Sequence, residues 1–250
     1  MKDILTCVMD IGENMLINGA EVHRVEESIQ RMCYALGAKR VDIFIITTSM
    51  VATIYGEGGA FYSQTRRVTT GDVNYEVIHR LNKLSRKICS VPMTTAEIQA
   101  ELQDVLCCKK YPSWLEYAAY SVIAAAFTVF FGGGWAEAVV SLLIGFLVRC
   151  TIHFAEKAIH NKIFSRFFSS LVATALAYVA HRLHLFDSID TVLIGNIMTL
   201  IPGTGLTNAF RDLFTGDSIS GLLRTVEAAL TALAIAAGYF LVALLGGAVL

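Results

Sequence analysis

The chain has 250 residues, 55% of them hydrophobic, with a mean hydropathy of +0.57 and a formal net charge of −1. This excludes an ordinary soluble domain, and the near-zero charge, with no basic patch interleaved with aromatics, argues against nucleic acid as a partner. Residues 1–110 hold 13 Lys+Arg and 13 Asp+Glu while the remaining 140 hold 7 and 8, so the first part reads as built for water and the second for lipid.

The opening segment MKDILTCVMDIGENML places acids among its apolar residues and is not read as a signal peptide. Ile4, Leu5, Val8, Ile11, Met15 and Leu16 recur at helical spacing and predict a helix over Lys2–Leu16, broken by Asn18-Gly19. A second helix is expected from about Ala20, with Val22, Val25, Ile29, Met32 and Leu36 inward and Gly37 as its stop. Its outer face carries Glu21, His23, Arg24, Glu26, Glu27 and Arg31. The plain reading is a solvated face with i,i+4 pairs such as Glu27 with Arg31. The sharper reading makes Glu21, His23, Arg24 and Glu26 a candidate site, although their spacing is not that of HExxH.

The β-branched and aromatic stretch from Arg40 to Val68, with Gly56–Gly59 as a turn, predicts two or three antiparallel strands. Ser49 lacks a GxSxG surround, which leaves a hydrolase reading weak. Helix resumes at about Asp72, with Tyr75, Ile78, Leu81, Leu84 and Ile88 inward. After Pro92 a capping box of Thr94 and Glu97 starts another helix running to about Cys107. The six cysteines, Cys7, Cys33, Cys89, Cys107, Cys108 and Cys150, have no zinc-binding spacing and are expected as reduced, buried thiols. Neither a metal nor a cofactor is expected, and no GxxxxGK[ST] loop suggests nucleotide coupling. Residues 1–110 are thus a small α+β domain.

Residues 111–250 read as an α-helical membrane domain, entered after Lys109-Lys110 and the interfacial Trp114. Spans are expected at about 115–131, 137–153, 164–180, 189–201 and 222–245, several of them shorter than the roughly 20 residues a lone span prefers. Their Gly and Ala content suits a packed bundle. Lys157, Lys162, Arg166, Arg211 and Arg224 would lie on the side of the amino-terminal domain and Arg182 on the other, which makes that domain cytosolic in an inner (plasma) membrane. Among charged groups near or within lipid, Arg149 and Glu137 read as structural. Glu227 reads as a proton carrier that could also pair with Arg224.

The most informative stretch is Leu193–Asp217. An apolar run is interrupted by Pro202, Gly203 and Gly205, then resumes with Thr207, Asn208, Arg211 and Asp212. One reading is a broken span whose polar groups form a solute site; the other is a helix that ends at Ile201 and gives way to a solvated loop.

Two segments resemble the signatures of the threonine/serine exporter family. One is Gly19-Ala20-Glu21-Val22-His23-Arg24-Val25-Glu26. The other is Ile201-Pro202-Gly203 followed by Asn208, Arg211-Asp212 and Gly216-Asp217. The resemblance implies a secondary exporter driven by the proton-motive force that moves threonine and serine, with export of the dicarboxylate succinate as the alternative. The length resembles the split form of the family, in which a second small membrane subunit completes the transporter; a homo-oligomer is also compatible.

The resemblance supplies no residue-level mechanism; by their placement at the break, Gly203, Thr204, Thr207, Asn208 and Arg211 are expected to bind substrate, with the Arg211 fork on a carboxylate, and Asp212 or Glu227 to carry the proton. The chain would then be a transporter subunit rather than an enzyme. A membrane-anchored hydrolase or a sensor, with its activity in the amino-terminal domain, is the competing reading.

Overall fold

The computed structural model describes residues 1–69, 73–107, 111–159 and 161–247. The helix start expected at Asp72, Cys108 and the Lys109-Lys110 pair lie outside the described residues. The chain divides into two compact units: Met1–Lys109 with Thr207–Thr225, and Lys110–Leu206 with Val226–Leu250.

In the first unit, α1 (Lys2–Ile17) and α2 (Val22–Ala35) are followed by strands β1 (Arg40–Ile46), β2 (Ser49–Tyr55) and β3 (Phe61–Arg67). Helices α3 (Tyr75–Ser90) and α4 (Thr95–Leu106) complete the amino-terminal part. The sheet is an antiparallel meander in the order β1-β2-β3, with Phe44 opposite Val51 and Thr53 opposite Ser63. Strand β2 alternates, so Met50, Ala52 and Ile54 point into a core shared with Val8, Ile11 and Met15 of α1 and Val25, Ile29 and Met32 of α2. Leu81, Leu84 and Ile88 of α3 and Ile98 and Leu102 of α4 close that core from the helical side.

The local signals act as expected. Gly19 takes φ +90 and lets the Ala20 N–H reach Met15 O (3.0 Å), which ends α1. At α4, Glu97 N donates to Thr94 Oγ1 (3.3 Å) while Thr94 N donates to Glu97 Oε2 (2.7 Å), completing the capping box. Arg66 of β3 binds Asp10 and, at 2.8 Å, Glu13, both on α1, tying the edge strand to the helical layer. The cysteines divide by position: Cys7 and Cys33 are buried, whereas Cys89 and Cys107 are exposed. The expectation that burial is their common role is corrected for the latter two.

The second unit contains α5 (Ser113–Phe130), α6 (Trp135–Ile159), α7 (Lys162–Arg182), α8 (Ile189–Met198) and the greater part of α10 (Ser218–Gly247). Among the described residues, four helices, α5, α6, α7 and α10, are long and apolar enough to cross a membrane. The pair α8 and α9 (Gly203–Thr215), bent by 56°, adds a fifth if it is one span. The protein is an α-helical membrane protein with a small α+β unit.

The spans are longer than their apolar cores suggested. α6 has 25 residues and α7 has 21, because polar turns such as Phe154–Ile159 continue the helix beyond the hydrophobic run. Small residues set the packing. A Cβ at Gly195 of α8 would lie 2.0 Å from Thr128 Oγ1, and one at Gly145 of α6 would lie 2.9 Å from Tyr120 O, both on α5. Thr128 Oγ1 also donates to Ser141 Oγ of α6 (2.7 Å), which satisfies two buried hydroxyls.

Glu137 and Arg149 take structural roles. The Glu137 carboxylate accepts the N–H groups of Gly134 (3.1 Å), Asp187 (3.3 Å) and Ser188 (3.3 Å), pinning the α7–α8 connection to the start of α6. Arg149 pairs with Glu116 and lies 5.6 Å from the ring centroids of Tyr117 and Tyr120.

Candidate functional site

The break in Leu193–Asp217 is a helix stop followed by a helix start. α8 ends at Met198 and α9 begins at Gly203, so the span expected to reach residue 201 stops three residues earlier. Pro202 precedes the first turn of α9, where a missing N–H costs nothing, and its carbonyl accepts Leu206 N (3.0 Å). Gly216, at φ +99, then ends α9 by letting Asp217 N reach Asp212 O (2.9 Å).

Because Asn208 and Asp212 are four apart, they share a face of α9, with Arg211 beside them. That face meets the turn between α1 and α2. Asn208 Nδ2 donates to Gly19 O (3.4 Å), and the Arg211 guanidinium pairs with the Glu21 carboxylate. Arg224, from the first turns of α10, donates through Nη2 to Ala20 O (3.1 Å) and places Nε 3.2 Å from Asp212 Oδ2. These bonds explain why Thr207–Thr225 packs with Met1–Lys109. Arg211 is paired with Glu21 although its side chain stays 55% exposed, and Asp212 is buried. The pairing of Arg224 expected with Glu227 is made instead with Asp212 and Ala20.

Asp212 is 1% exposed, and neither of its oxygens receives a well-aligned hydrogen bond. Around it stand Arg224, the Val22 N–H and the carboxylates of Glu21 and Asp217. Asp217 has one oxygen, Oδ2, buried without a partner, and acts in turn on Glu26. Glu26 Oε1 accepts Ile45 N (2.9 Å), which fastens α2 to β1. Burial pushes the Glu26 carboxyl above its ordinary range, against that hydrogen bond; Asp217 adds to the rise and His23 opposes it. Four carboxylates, Glu21, Glu26, Asp212 and Asp217, therefore interact around two guanidiniums, Arg211 and Arg224.

The other candidates are more exposed, although His23 acts on Glu26. His23 and Arg24 are exposed on the first turn of α2, and Gly203, Thr204 and Thr207 are exposed along the start of α9. Glu227 is exposed on α10. Among the described residues, no three His, Cys, Asp or Glu side chains converge as a metal site.

Sequence reasoning missed Arg224 and Asp217 as members of the cluster. The signal for Asp217 was its place after the helix-stopping Gly216; for Arg224 no local pattern marks a partner twelve residues back.

Residues 6–246 match the model of the family described as "Putative threonine/serine exporter" (ThrE). The chain is 26% identical over 228 residues to the "Probable succinate transporter subunit YjjP" of Klebsiella aerogenes, covering 90% of this chain and 86% of that protein. It is 25% identical over 231 residues to the protein of the same name from Escherichia coli K12, covering 91% and 88%. The "Threonine/serine exporter" of Corynebacterium glutamicum is 22% identical over 244 residues, covering 94% of this chain and 50% of that protein. No solved structure matches. The two sequence signatures, the order of the α+β unit and the membrane helices, and a match over nearly the whole length agree: the chain belongs to the threonine/serine exporter family.

Proposed function

We propose that this protein is a membrane subunit of a proton-motive-force-driven secondary exporter of zwitterionic amino acids, threonine and serine in particular. The observation that supports this reading is Asp212, buried without a well-aligned hydrogen bond beside Arg211 in a cluster where carboxylates outnumber guanidiniums. A zwitterion answers both halves of such a site: its carboxylate fits the Arg211 fork and its ammonium the surplus acids. A dianion meets net repulsion there. The proton is exchanged at Asp212 when Arg224 withdraws, and Glu227 is a secondary carrier on α10.

Orientation is part of the reading. Lys157, Lys162 and Arg166 cluster at the connection of α6 and α7, against Arg182 at the far end of α7, which favours a cytosolic amino-terminal unit. The word "subunit" in the names of the two enterobacterial relatives supports a second membrane protein as partner. Their names also favour a second substrate reading, succinate, which shares the carboxylate that Arg211 would bind.

The deciding experiment is efflux from cells preloaded with labelled threonine, serine or succinate. Arg211→Ala and Asp212→Asn should each abolish efflux while the protein still reaches the membrane. Unchanged efflux in both variants removes the site.

A further inference from the structure

The geometry points to Glu21 as an internal stand-in for the substrate carboxylate: it occupies Arg211 and, once displaced by substrate, receives the substrate's ammonium group. This rests on the reading of Arg211 as the carboxylate-binding residue.

Glu21 stands at the N-cap position of α2 with an extended backbone (φ −70, ψ 141), yet its side chain makes no capping bond to its own helix. It is turned instead to Arg211. The Glu21 side chain is 16% exposed and that of Arg211 55%, so a solute can reach the guanidinium while the carboxylate opposite it is largely enclosed. The turn that presents Glu21 is braced on both sides. Gly19 O is held by Asn208 and Ala20 O by Arg224, and a side chain on Gly19 would press within 2.9 Å of Val73 Cγ2. Glu21 thus meets Arg211 with little freedom left to lose, as a bound ligand would.

Displacement exchanges one carboxylate–guanidinium pair for another of the same kind, so that step alone selects nothing. Selection comes from what happens to Glu21. Released from Arg211, its carboxylate is left near Asp212, where a further negative charge is unfavourable. An α-amino acid brings an ammonium group next to the carboxylate that displaced Glu21, and each charge then has a partner. A dicarboxylate leaves Glu21 unpaired and adds a second negative charge. Glu21 accordingly gates Arg211 and makes the site prefer zwitterions.

The test is thermal stabilisation of the purified full-length protein by serine and by succinate, in the wild type, Glu21→Gln and Glu21→Asp. Glu21→Gln removes both the competitor and the ammonium receptor. For serine the two losses offset and its binding should stay nearly unchanged, whereas succinate binding should tighten by about two- to fivefold, as expected for a partly exposed ion pair. Glu21→Asp keeps the charge and should keep the wild-type order of the two ligands, which also checks that the position tolerates substitution. A shift of both ligands in the same direction, no shift for succinate, or no stabilisation of any form by either ligand overturns the proposal. Ligand binding that behaves as expected in a protein that exports neither compound sinks the transport reading and leaves the role of Glu21 standing.

Discussion

The Arg224 guanidinium lies 3.2 Å from the Asp212 carboxylate, and the two side chains are only 15% and 1% exposed. Removing one partner of a buried pair strands the other charge away from water. Arg224→Ala should therefore lower stability by about 3 kcal/mol. Arg224→Ala combined with Asp212→Ala should lose less than the single change. Thermal unfolding of the purified variants decides it; a double mutant that loses the full sum of the two single changes would mean that the residues are not coupled.

Glu26 makes a pH prediction whose sign follows from its raised pKa. A carboxyl that holds its proton more tightly in the folded state than at its ordinary value of 4.5 favours folding while protonated. Its contribution is therefore full below that value and is lost as pH rises through the folded pKa. Glu26→Gln keeps an oxygen for Ile45 N and cannot ionise. It should raise the melting temperature at pH 8 and leave it nearly unchanged at pH 4. The reverse order would contradict burial as the dominant influence.

Two glycines of the broken segment should respond differently to alanine. At Gly195 an added Cβ would lie 2.8 Å from Thr128 N and 2.9 Å from Ala124 O, both fixed backbone atoms of α5. Gly195→Ala should cost about 2 kcal/mol of stability through overpacking. At Gly203 nothing lies within 4 Å of an added Cβ, so Gly203→Ala should fold normally. If Gly203→Ala keeps its melting temperature but loses efflux, the start of α9 belongs to the substrate path; retained efflux removes Gly203 from it.

The thiols should separate by reactivity. Cys33 is buried, and desolvation pushes its thiol up to about 12, whereas Cys89 and Cys107 are exposed. Iodoacetamide at pH 8 should label Cys89 and Cys107 of the native protein and reach Cys33 only after unfolding, as read by peptide mass spectrometry. Early labelling of Cys33 would show that the core formed by α1, α2 and the sheet opens on the timescale of the reaction.

Thr94 closes the capping box of α4, and Thr94→Ala should cost about 1 kcal/mol, a typical loss for an N-cap hydroxyl. Thr94→Ser retains the oxygen and should recover most of it, as measured by thermal unfolding at pH 7.

Local physics settled a large part of this protein from the sequence alone. Apolar spacing placed α1–α4 and the long membrane helices, Gly19 and Gly37 marked helix ends, and Thr94 with Glu97 announced a cap, because each of these depends on neighbours within a turn or two. The two family signatures were equally legible, since each is a contiguous stretch.

What the sequence left open is how those signatures are related in space. The first contains Glu21 and the second Arg211, 190 positions apart, and hydrogen bonds at Gly19, Ala20 and Asn208 bring them together. Whether Arg211 and Asp212 were solvated or paired, and whether Arg224 served Glu227 or Asp212, depended on which charges the fold encloses together. Electrostatic partnership acts through space, and only the tertiary structure fixes those distances.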